Sequence, residues 1–417
     1  MSPVRLLTLP LLCGLLVGLP VWWAFPEELG FWRSCAIVSG WLGCGLLLAS
    51  LLLMVREPRL AAWLGGLERM YRWHHRFGTL AYLVLLTHPL ALAADAWEES
   101  PALARAALAP WQQGWPVWLG WASLLAMMAG MGLAVARRLP YAAWRGLHLL
   151  LALAVVLGVV HLLLLGLDNL LLWAPLLAVA IMAGRFVLAD TGLAARPHVV
   201  ERVGHPAAAM VEVVLRPLAQ PIRARPGQFV LAAFLRGSRF RGCGEYHPFT
   251  LSDIGEDGHL ALDIKALGDC TRHLQAVEPG VAVRVQGPFG TFLGDDPHGP
   301  ALWIAGGIGI TPFVAVLRHG KLRHPVTLIY LYRDSADGAH LEELRAASAG
   351  QAGLRLDARA TGDARPDLEA IIPAAAELAG RDCHLCGPPG LVDAAVAVLL
   401  ARGVPRSRIH FERFDFR

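Results

Sequence analysis

The chain of 417 residues is 55% hydrophobic and only 17% charged, with a formal net charge of +4. This composition excludes an ordinary soluble protein and requires that part of the chain lies in a lipid bilayer. Apolar runs fill residues 5–190, whereas residues 195–417 have the regular charges, glycines and prolines of a soluble domain. The excess positive charge lies in loops beside the apolar runs, so it does not indicate a nucleic-acid partner.

Six apolar runs are long enough to cross a hydrocarbon core, which takes about 20 residues each. The runs lie at 5–25, 31–55, 76–95, 115–136, 146–166 and 169–189. The first has no small-residue cleavage site and more runs follow it, so we expect it to be retained as a span. The sequence therefore predicts a six-helix transmembrane bundle over residues 1–190.

The charged loops predict the orientation of this bundle, since short cytoplasmic loops are rich in lysine and arginine. Five arginines lie between Arg56 and Arg76, and three more follow the fourth run. The opposite loops are acidic, with Glu27, Glu28 and Asp168 among their residues. We therefore expect a multi-pass protein of a bacterial-type inner membrane, with both termini and the soluble module in the cytoplasm.

Histidines occur at two depths in two of these runs. The third run carries adjacent His74 and His75 at its cytoplasmic end and His88 deeper, and the fifth carries His148 and His161. Fourteen residues advance an α-helix by about 21 Å and return to within about 40° of the starting direction, which favours His74 and keeps His75 as the alternative. Facing imidazoles in lipid are suitable axial ligands for two b-type haems.

The pair in the fifth run raises a difficulty of helix phase. His148 and His161 are 13 residues apart, which leaves them about 140° out of phase on an ideal helix. Either the helix is distorted, with Gly158 as the candidate position, or the two haems are turned relative to each other. The predicted metal ligands are His74 with His148 and His88 with His161.

Beyond residue 195, short alternating runs punctuated by proline and glycine predict an antiparallel β-barrel over residues 195–298. From residue 299, strand-like and helix-like segments alternate, which predicts an α/β Rossmann-like domain with a parallel sheet over residues 299–417. In "GGIGITP", the glycines allow close approach of a pyrophosphate, and the helix that follows supplies partial positive charge. Such a turn is weak evidence alone, and its neighbours make it specific.

Seven cysteines do not predict a disulfide framework here. Cys13, Cys35 and Cys44 lie in apolar runs, and the other four lie on the side predicted to face the reducing cytoplasm. The segment "CHLC" at 383–386 has CxxC spacing, but no second pair accompanies it, so a zinc site is not predicted and a redox dithiol is the alternative. No EF-hand loop occurs, so we expect no direct calcium regulation.

Five ordered motifs carry a family resemblance. They are "HPFTLS" (247–252), "LGDCTRHL" (267–274), "GPFG" (287–290), "GGIGITP" (306–312) and "CGPPG" (386–390), and a closing "FERFDFR" follows them. With the apolar histidine-bearing part, the chain resembles the ferric reductase and NADPH oxidase superfamily over nearly its whole length. The resemblance implies a haem-binding transmembrane domain joined to a ferredoxin-reductase-type flavin and nicotinamide module.

The resemblance also implies roles for individual residues. Those implied to bind FAD are His247, Pro248, Phe249, Thr250, Ser252, Gly268, Thr271 and Arg272. Those implied to bind the nicotinamide nucleotide are Gly306, Gly307, Gly309, Thr311, Pro312, Gly387 and Pro388. Cys386 is implied beside the nicotinamide ring, which leaves Cys383 without a role. An aromatic residue near the C-terminus is implied over the flavin ring, either Phe416, which we favour, or Phe414.

The implied function is that of a transmembrane flavocytochrome b, an NAD(P)H oxidase or ferric-reductase-type oxidoreductase. NAD(P)H releases two electrons as a hydride, whereas a haem iron accepts one at a time, so a flavin is needed between them. Electrons from cytoplasmic NADPH or NADH would reach a small-molecule acceptor across the membrane. Membrane lipid is the expected surrounding partner, and no obligatory protein partner is expected. The outer segment 95–114 is acidic and has no histidine or cysteine, which favours O2 over an anionic ferric chelate.

Three alternatives to an oxidase follow from the same residues. A ferric-chelate reductase would use the same chain of cofactors, and an electron-transfer subunit would pass electrons to a periplasmic partner protein. A polytopic transporter with a regulatory flavin domain would hold no haem. The coenzyme also stays open, since Arg333 would favour the 2′-phosphate of NADPH and Asp334 beside it would oppose that group.

Overall fold

The computed structural model describes residues 4–135, 141–167, 169–293 and 299–413. Its internal contacts divide the chain into two compact units, Met1–Thr191 and Gly192–Arg417. The first unit is helical, in agreement with its apolar composition. Its helices are α1 (Val4–Trp23), α2 (Phe31–Leu52), α3 (Pro58–Leu64), α4 (Leu67–Glu99), α5 (Pro101–Ala107), α6 (Trp115–Val135), α7 (Tyr141–Leu164) and α8 (Asn169–Arg185).

Four helical segments among the described residues are long and apolar enough to cross a membrane. They are Phe31–Leu52, Leu67–Glu99, Gly146–Leu164 and Leu171–Asp190. Helices α1 and α6 occupy the other two predicted runs, but the count of six spans is not confirmed. Helix α4 begins nine residues before the predicted span because its first turns are polar helix-forming residues, including an ion pair between Glu68 and Arg72 one turn apart.

Helix α7 is one uninterrupted α-helix from Tyr141 to Leu164, so the distortion considered at Gly158 does not occur. Gly158 instead allows close packing against α6. A β-carbon at this position would lie 3.1 Å from the hydroxyl of Ser123, which itself donates a hydrogen bond to the carbonyl of Ala154 at 2.7 Å. His148 and His161, 13 residues apart on this regular helix, therefore point in widely different directions around its axis.

The second unit begins with a closed antiparallel barrel in the strand order β1-β2-β5-β4-β3-β6. Its strands are β1 (Arg196–Ala207), β2 (Met210–Pro217), β3 (Phe229–Phe234), β4 (His247–Ile254), β5 (Leu260–Lys265) and β6 (Ala282–Phe289), with the short helix α9 (Asp269–Leu274) after β5. Alternate residues of these strands fill the barrel with a single apolar cluster. The predicted antiparallel barrel is confirmed.

A parallel five-stranded sheet follows, in the order β11-β10-β7-β8-β9. Its strands are β7 (Ala301–Gly306), β8 (Val326–Tyr332), β9 (Leu354–Ala360), β10 (Asp382–Gly387) and β11 (Ile409–Arg413). The helices between them are α10 (Thr311–His319), α11 (Leu341–Gly350), α12 (Leu368–Ile371), α13 (Ala375–Leu378) and α14 (Pro389–Ala401). Helices α10 and α11 cover one face and α12 to α14 cover the other, as in a Rossmann-like domain.

The expectation that the cysteines form no disulfide is wrong for one pair. Cys243 and Cys270 form a disulfide, with their α-carbons 5.8 Å apart, because barrel closure brings together segments separated by 27 residues. Cys383 and Cys386 are free thiols whose side chains belong to apolar clusters on opposite faces of the parallel sheet. They cannot pair, since residues three apart on a strand point to opposite sides, and the redox-dithiol alternative is excluded.

The turn after β7 packs directly on the end of β10, its neighbour in the sheet. A β-carbon on Gly309 would lie 2.0 Å from the carbonyl oxygen of Cys386, and one on Gly387 would lie 3.2 Å from backbone atoms of Gly306. Two backbone segments therefore touch here without intervening side chains. Only glycine permits this approach, which gives "GGIGITP" and "CGPPG" a structural reason for their composition.

We expect Gly309→Ala to destabilise the second unit by about 1–3 kcal/mol, because the new methyl group overlaps a backbone carbonyl that cannot move alone. Gly350→Ala is the matched control, since its β-carbon would meet nothing within 4 Å. Scanning calorimetry of the full-length protein in detergent should place the Gly309→Ala transition roughly 2–8 °C below the control. Equal midpoints would show that the two turns do not depend on this contact.

Candidate functional site

The two deeper histidines of the helical unit are held in the same way. Nδ1 of His88 on α4 lies 2.8 Å from the carbonyl oxygen of Ala36 on α2. Nδ1 of His161 on α7 lies 2.8 Å from the carbonyl oxygen of Pro116 on α6. A carbonyl can only accept, so each Nδ1 carries the proton and donates. Each ring therefore presents Nε2 with a free lone pair, the atom that binds a metal.

A glycine faces each of these rings, four residues after the carbonyl that accepts its hydrogen bond. A β-carbon on Gly40 would lie 3.2 Å from the ring of His88, and one on Gly120 would lie 3.0 Å from the ring of His161. Any larger residue would displace the imidazole. The helix pairs α2 with α4 and α6 with α7 thus build two equivalent histidine sites.

The histidines nearer the predicted cytoplasmic end lie close to each other. Nδ1 of His74 lies 2.8 Å from the hydroxyl and 3.0 Å from the carbonyl oxygen of Ser50 on α2. The ring of His148 stacks on Trp144, with 5.0 Å between ring centres, and its centre is 6.5 Å from that of His74. His75 is exposed. This arrangement favours His74 over His75 as a ligand.

These residues fit a metal centre with two axial imidazoles. Two imidazoles on opposite sides of one ion have ring centres about 6 Å apart, because each metal–nitrogen bond is about 2 Å long and each nitrogen lies about 1 Å from its ring centre. Nδ1 of His148 is buried and has no hydrogen-bond partner among the described residues.

The residues predicted to bind FAD divide between the two faces of β4. Phe249 packs inside the barrel against Phe234, with ring centres 6.1 Å apart, and His247 lies on the same face. Pro248 and Thr250 lie on the outer face. Burial lowers the pKa of His247 despite nearby Glu245, so its imidazole is neutral at pH 7. Phe249 therefore serves the barrel core in this structure.

The second predicted flavin segment is a turn organised by Thr271. The threonine hydroxyl accepts hydrogen bonds from the backbone amides of Leu267 and Gly268, at 2.9 and 2.8 Å. Arg272 is exposed and donates to Asp269 at 2.6 Å. The structure gives Thr271 a clear role in fixing the backbone, and it leaves Gly268 exposed for a ligand.

The predicted nicotinamide-nucleotide residues gather where β7 and β10 end. The chain runs from β7 to β8 on one side and returns to β10 on the other, and ligands of open α/β sheets bind outside the strand ends at such a switch point. Gly306, Gly309 and Gly387 are buried here, Gly307 is half-buried and Pro388 is exposed. Thr311 and Pro312 are buried at the start of α10. Phe414 and Phe416 lie outside the described residues.

Cys386 is buried, with 1% of its surface exposed. Burial and the charge of Glu412 raise the pKa of its thiol well above the usual range, so it is neutral at physiological pH. A neutral buried thiol is neither a nucleophile nor a base. Any contact of Cys386 with a nicotinamide would therefore be a van der Waals contact without proton or bond transfer.

A buried network of charged side chains links the barrel to the parallel sheet, and the sequence analysis did not identify it. Asp263 on β5 accepts hydrogen bonds from Thr311 at 3.1 Å and from His340 at 2.9 Å. Arg318 on α10 donates to Glu212 on β2 and to Glu343 on α11. An aspartate inside the apolar strand "LALDIK" was the available signal, because a buried carboxylate requires partners.

The network also reaches two residues predicted to bind cofactors. The hydroxyl of Ser252 lies 3.4 Å from a carboxylate oxygen of Glu212, and Thr311 is bonded to Asp263. Glu212, Asp263 and His340 have the ligand types of a metal site, with atoms within 4.8 Å of one another. Arg318 bonds to this cluster directly and already supplies positive charge. We therefore assign the cluster to ion pairing.

Two parts of the chain match models of known protein families. Residues 39–159 match the model of a ferric reductase like transmembrane component, and residues 200–292 match that of an FAD-binding domain. This domain combination matches the ferric reductase and NADPH oxidase superfamily. The resemblance stated above is confirmed at the level of these two domains. These matches support FAD as a cofactor and NAD(P)H as an electron source.

Individual relatives cover only part of the chain. An NADPH oxidoreductase of Mycobacterium tuberculosis is 32% identical over 198 residues, 46% of this chain and 52% of that protein. NADPH oxidase 1 of Mus musculus is 39% identical over 80 residues, 18% of this chain and 14% of that protein. The FAD/NAD-binding domain of Vibrio cholerae nitric oxide dioxygenase covers 53% of this chain and 98% of that domain, with 23% identity and a TM-score of 0.46.

Two groups of the network give it a defined pH dependence. Burial opposes charge on His340, but hydrogen bonds to Asp263 and Glu343 outweigh it and raise the pKa of His340 to about 9. Burial likewise opposes charge on Glu343, but His340 and Arg318 lower the pKa of Glu343 to about 2. A raised histidine pKa stabilises the fold fully below the unfolded value of 6.5, and the contribution is lost as pH rises through about 9.

We therefore expect the second unit to lose about 2–3 kcal/mol of stability between pH 6.5 and 9.5. His340→Gln should be less stable at pH 6.5 and should lack this part of the decline, because its side chain does not titrate. His319→Gln, at an exposed histidine of α10, is the control and should follow the unmodified protein. Calorimetric midpoints of the full-length protein across this range test the assignment, and parallel curves for all three proteins would contradict it.

Proposed function

We propose that the protein moves electrons from NAD(P)H through FAD and two b-type haems to an acceptor on the opposite side of the membrane. One observation carries the haem part of this proposal: two pairs of histidines at two depths, three of whose Nδ1 atoms are hydrogen-bonded to neighbouring helices, with Nε2 left for a metal. The FAD-binding domain and the switch-point glycines support the remainder.

The helical residues would hold and orient the haems. His74 and His148 would form the inner pair of axial ligands, and His88 and His161 the outer pair. A bound haem supplies one-electron transfer at a potential that its ligands and surroundings adjust. The carbonyls of Ala36 and Pro116 fix the tautomer and direction of the outer imidazoles, which raises their basicity as ligands.

The second unit would bring NAD(P)H to the flavin. Bound FAD supplies the conversion from a two-electron donor to one-electron acceptors. The glycine turns after β7 and β10 pack the two backbones together at the switch point where the nucleotide would bind, and Gly268 and Thr271 would position the flavin phosphates. The ion network would hold the start of α10 against β5 through Thr311 and Asp263. No residue has to act as a general acid or base in these steps.

The acceptor we propose is O2, giving superoxide or hydrogen peroxide. The end of α4 and helix α5 line a shallow open depression that is apolar apart from one arginine, and the acidic segment 95–114 beside it favours an uncharged acceptor over an anionic chelate. Its lining residues are Ala93, Ala94, Trp97, Ala104, Arg105 and Leu108. The identity of one mouse relative as an NADPH oxidase supports the same choice.

Ferric-chelate reduction is the second candidate, and one contact favours it more than the sequence did. Asp95 forms an ion pair with Arg33 on α2 at 3.6 Å, so the outer segment repels anions less than its composition suggests. Glu98 and Glu99 remain exposed beside it. Transfer to a periplasmic partner protein is a further outcome of the acceptor test below.

We propose that the protein lies in a bacterial-type inner membrane, with both termini and the second unit in the cytoplasm. Arg333, the candidate for a 2′-phosphate, lies 3.9 Å from Asp337 and 3.7 Å from Asp363. These carboxylates compete with a phosphate for its charge. We therefore propose use of both NADPH and NADH, without strong preference.

Replacing His88 or His161 by alanine should remove the outer haem, so that haem content falls by about half. Replacing His74 or His148 should remove the inner haem in the same way. His75→Ala is the matched control, since its side chain is exposed, and it should keep the full content. Haem is measured as the pyridine complex, with bound FAD measured in the same samples to show that the second unit is folded. Unchanged spectra in all four variants would favour the transporter alternative.

The acceptor is tested with the purified full-length protein in detergent. NADPH or NADH should reduce the haems without oxygen, and admitted air should reoxidise them rapidly with a dye signal that superoxide dismutase suppresses. Slow reoxidation by air and fast reoxidation by a ferric chelate would identify a metal reductase. Slow reoxidation by both, restored by an added periplasmic extract, would identify a subunit that feeds a partner protein.

A further inference from the structure

The disulfide between Cys243 and Cys270 joins the two barrel segments predicted to hold FAD. Cys243 lies four residues before His247, the first residue of "HPFTLS", and Cys270 lies within "LGDCTRHL". Both sulfurs pack against the edge of the barrel core and are partly exposed. The FAD-binding match at residues 200–292 spans both cysteines.

The loop that carries Cys243 keeps its position without the disulfide. The backbone amides of Cys243 and Gly244 both donate to the carbonyl of Phe234, at 3.2 and 3.0 Å. Gly242 adopts a positive φ of 68°, and a β-carbon there would lie 2.7 Å from the backbone of Leu235. This side of the bridge is therefore a rigid anchor.

The segment that carries Cys270 is attached differently at its two ends. At the end of α9, Leu274 is fully buried, and Gln275 donates to the carbonyl of Ile264 at 3.1 Å. At its start, Leu267, Gly268 and Asp269 are exposed. The disulfide ties this exposed start to the rigid loop. Opening it would leave the hydrogen bonds of Thr271 within the turn intact, but it would remove the link between this turn and the loop of Cys243.

We propose that Cys243 and Cys270 are a thiol–disulfide redox site that controls how tightly the barrel holds FAD. The closed disulfide keeps the turn of Gly268 ordered, and the reduced pair lets it move, so FAD binds tightly to the oxidised protein and weakly to the reduced one. The proposal rests on the assignment of FAD to this barrel. In the predicted cytoplasmic location a disulfide is usually a transient, redox-sensing one, which agrees with a switch.

The chemistry is exchange with a dithiol. A thiolate of the dithiol attacks one sulfur of the pair, the sulfur–sulfur bond breaks, and a mixed disulfide forms while the other cysteine leaves as a thiolate. The second thiol of the reductant then releases the first cysteine. In sum, two electrons and two protons pass from the dithiol to the two cysteines, and the dithiol leaves as a disulfide. An oxidised dithiol reverses the reaction.

The test uses the full-length holoprotein in detergent, with dithiothreitol as the dithiol. Alkylation before and after reduction, followed by mass spectrometry of peptides, reports whether the two cysteines are paired. FAD affinity is measured in parallel from the fluorescence of released flavin on dilution. We expect reduction to weaken FAD binding by about five- to tenfold, because the flavin must then order the turn itself.

The double variant Cys243→Ser with Cys270→Ser should bind FAD as weakly as the reduced protein, with or without dithiothreitol. Cys383→Ala, at a free cysteine outside the pair, should keep the redox response. Equal FAD affinities of the oxidised and reduced unmodified protein would overturn the proposal even if the double variant does not fold. Alkylation of both cysteines before reduction would overturn it as well. Absence of bound FAD in every state would instead refute the assignment of FAD to the barrel.

Discussion

An imidazole between apolar helices has two ring nitrogens, and hydrocarbon provides a partner for neither. The helical unit depends on how this requirement is met. His88 and His161 each donate from Nδ1 to a backbone carbonyl of the neighbouring helix. That bond fixes the ring and leaves one nitrogen pointing elsewhere. In the proposed function a haem iron would be the partner of this second nitrogen, and the protein's own hydrogen bonds would set the direction of its ligands.

The same arrangement occurs twice, once on each helix pair. On α2 the acceptor carbonyl and the facing glycine are Ala36 and Gly40, and on α6 they are Pro116 and Gly120, so both pairs have a spacing of four. One helical turn separates each carbonyl from its glycine. The two sites are equivalent in a backbone carbonyl and in a glycine that has no side chain. This is why the equivalence of the two helix pairs is not visible as a repeat in the amino-acid sequence.

Sequence patterns predicted the elements of this protein better than the contacts between them. Alternation along β2 and β5 and the glycine-rich turn after β7 predicted the barrel and the parallel sheet, because period and turn chemistry are local properties. Pairing across the fold is not local. The partnership of Cys243 with Cys270 depends on barrel closure, and the ion pairs of Asp263 depend on how α10 and α11 pack. Phe249, which the resemblance implied beside FAD, fills the barrel core in this structure.

The distribution of charge in the second unit indicates what the protein itself contributes to electron transfer. Next to the predicted cofactor positions, Cys386 and His247 are held neutral by burial. Charged groups such as Arg318 and His340 are gathered in a hydrogen-bonded network that touches the predicted cofactor positions only through Ser252 and Thr311. Side chains that stay neutral do not exchange protons with a carrier, whereas paired charges hold two folded layers in register. The protein thus separates positioning from chemistry. Such a division suits a reaction in which electrons move and the protein has no bond of its own to make.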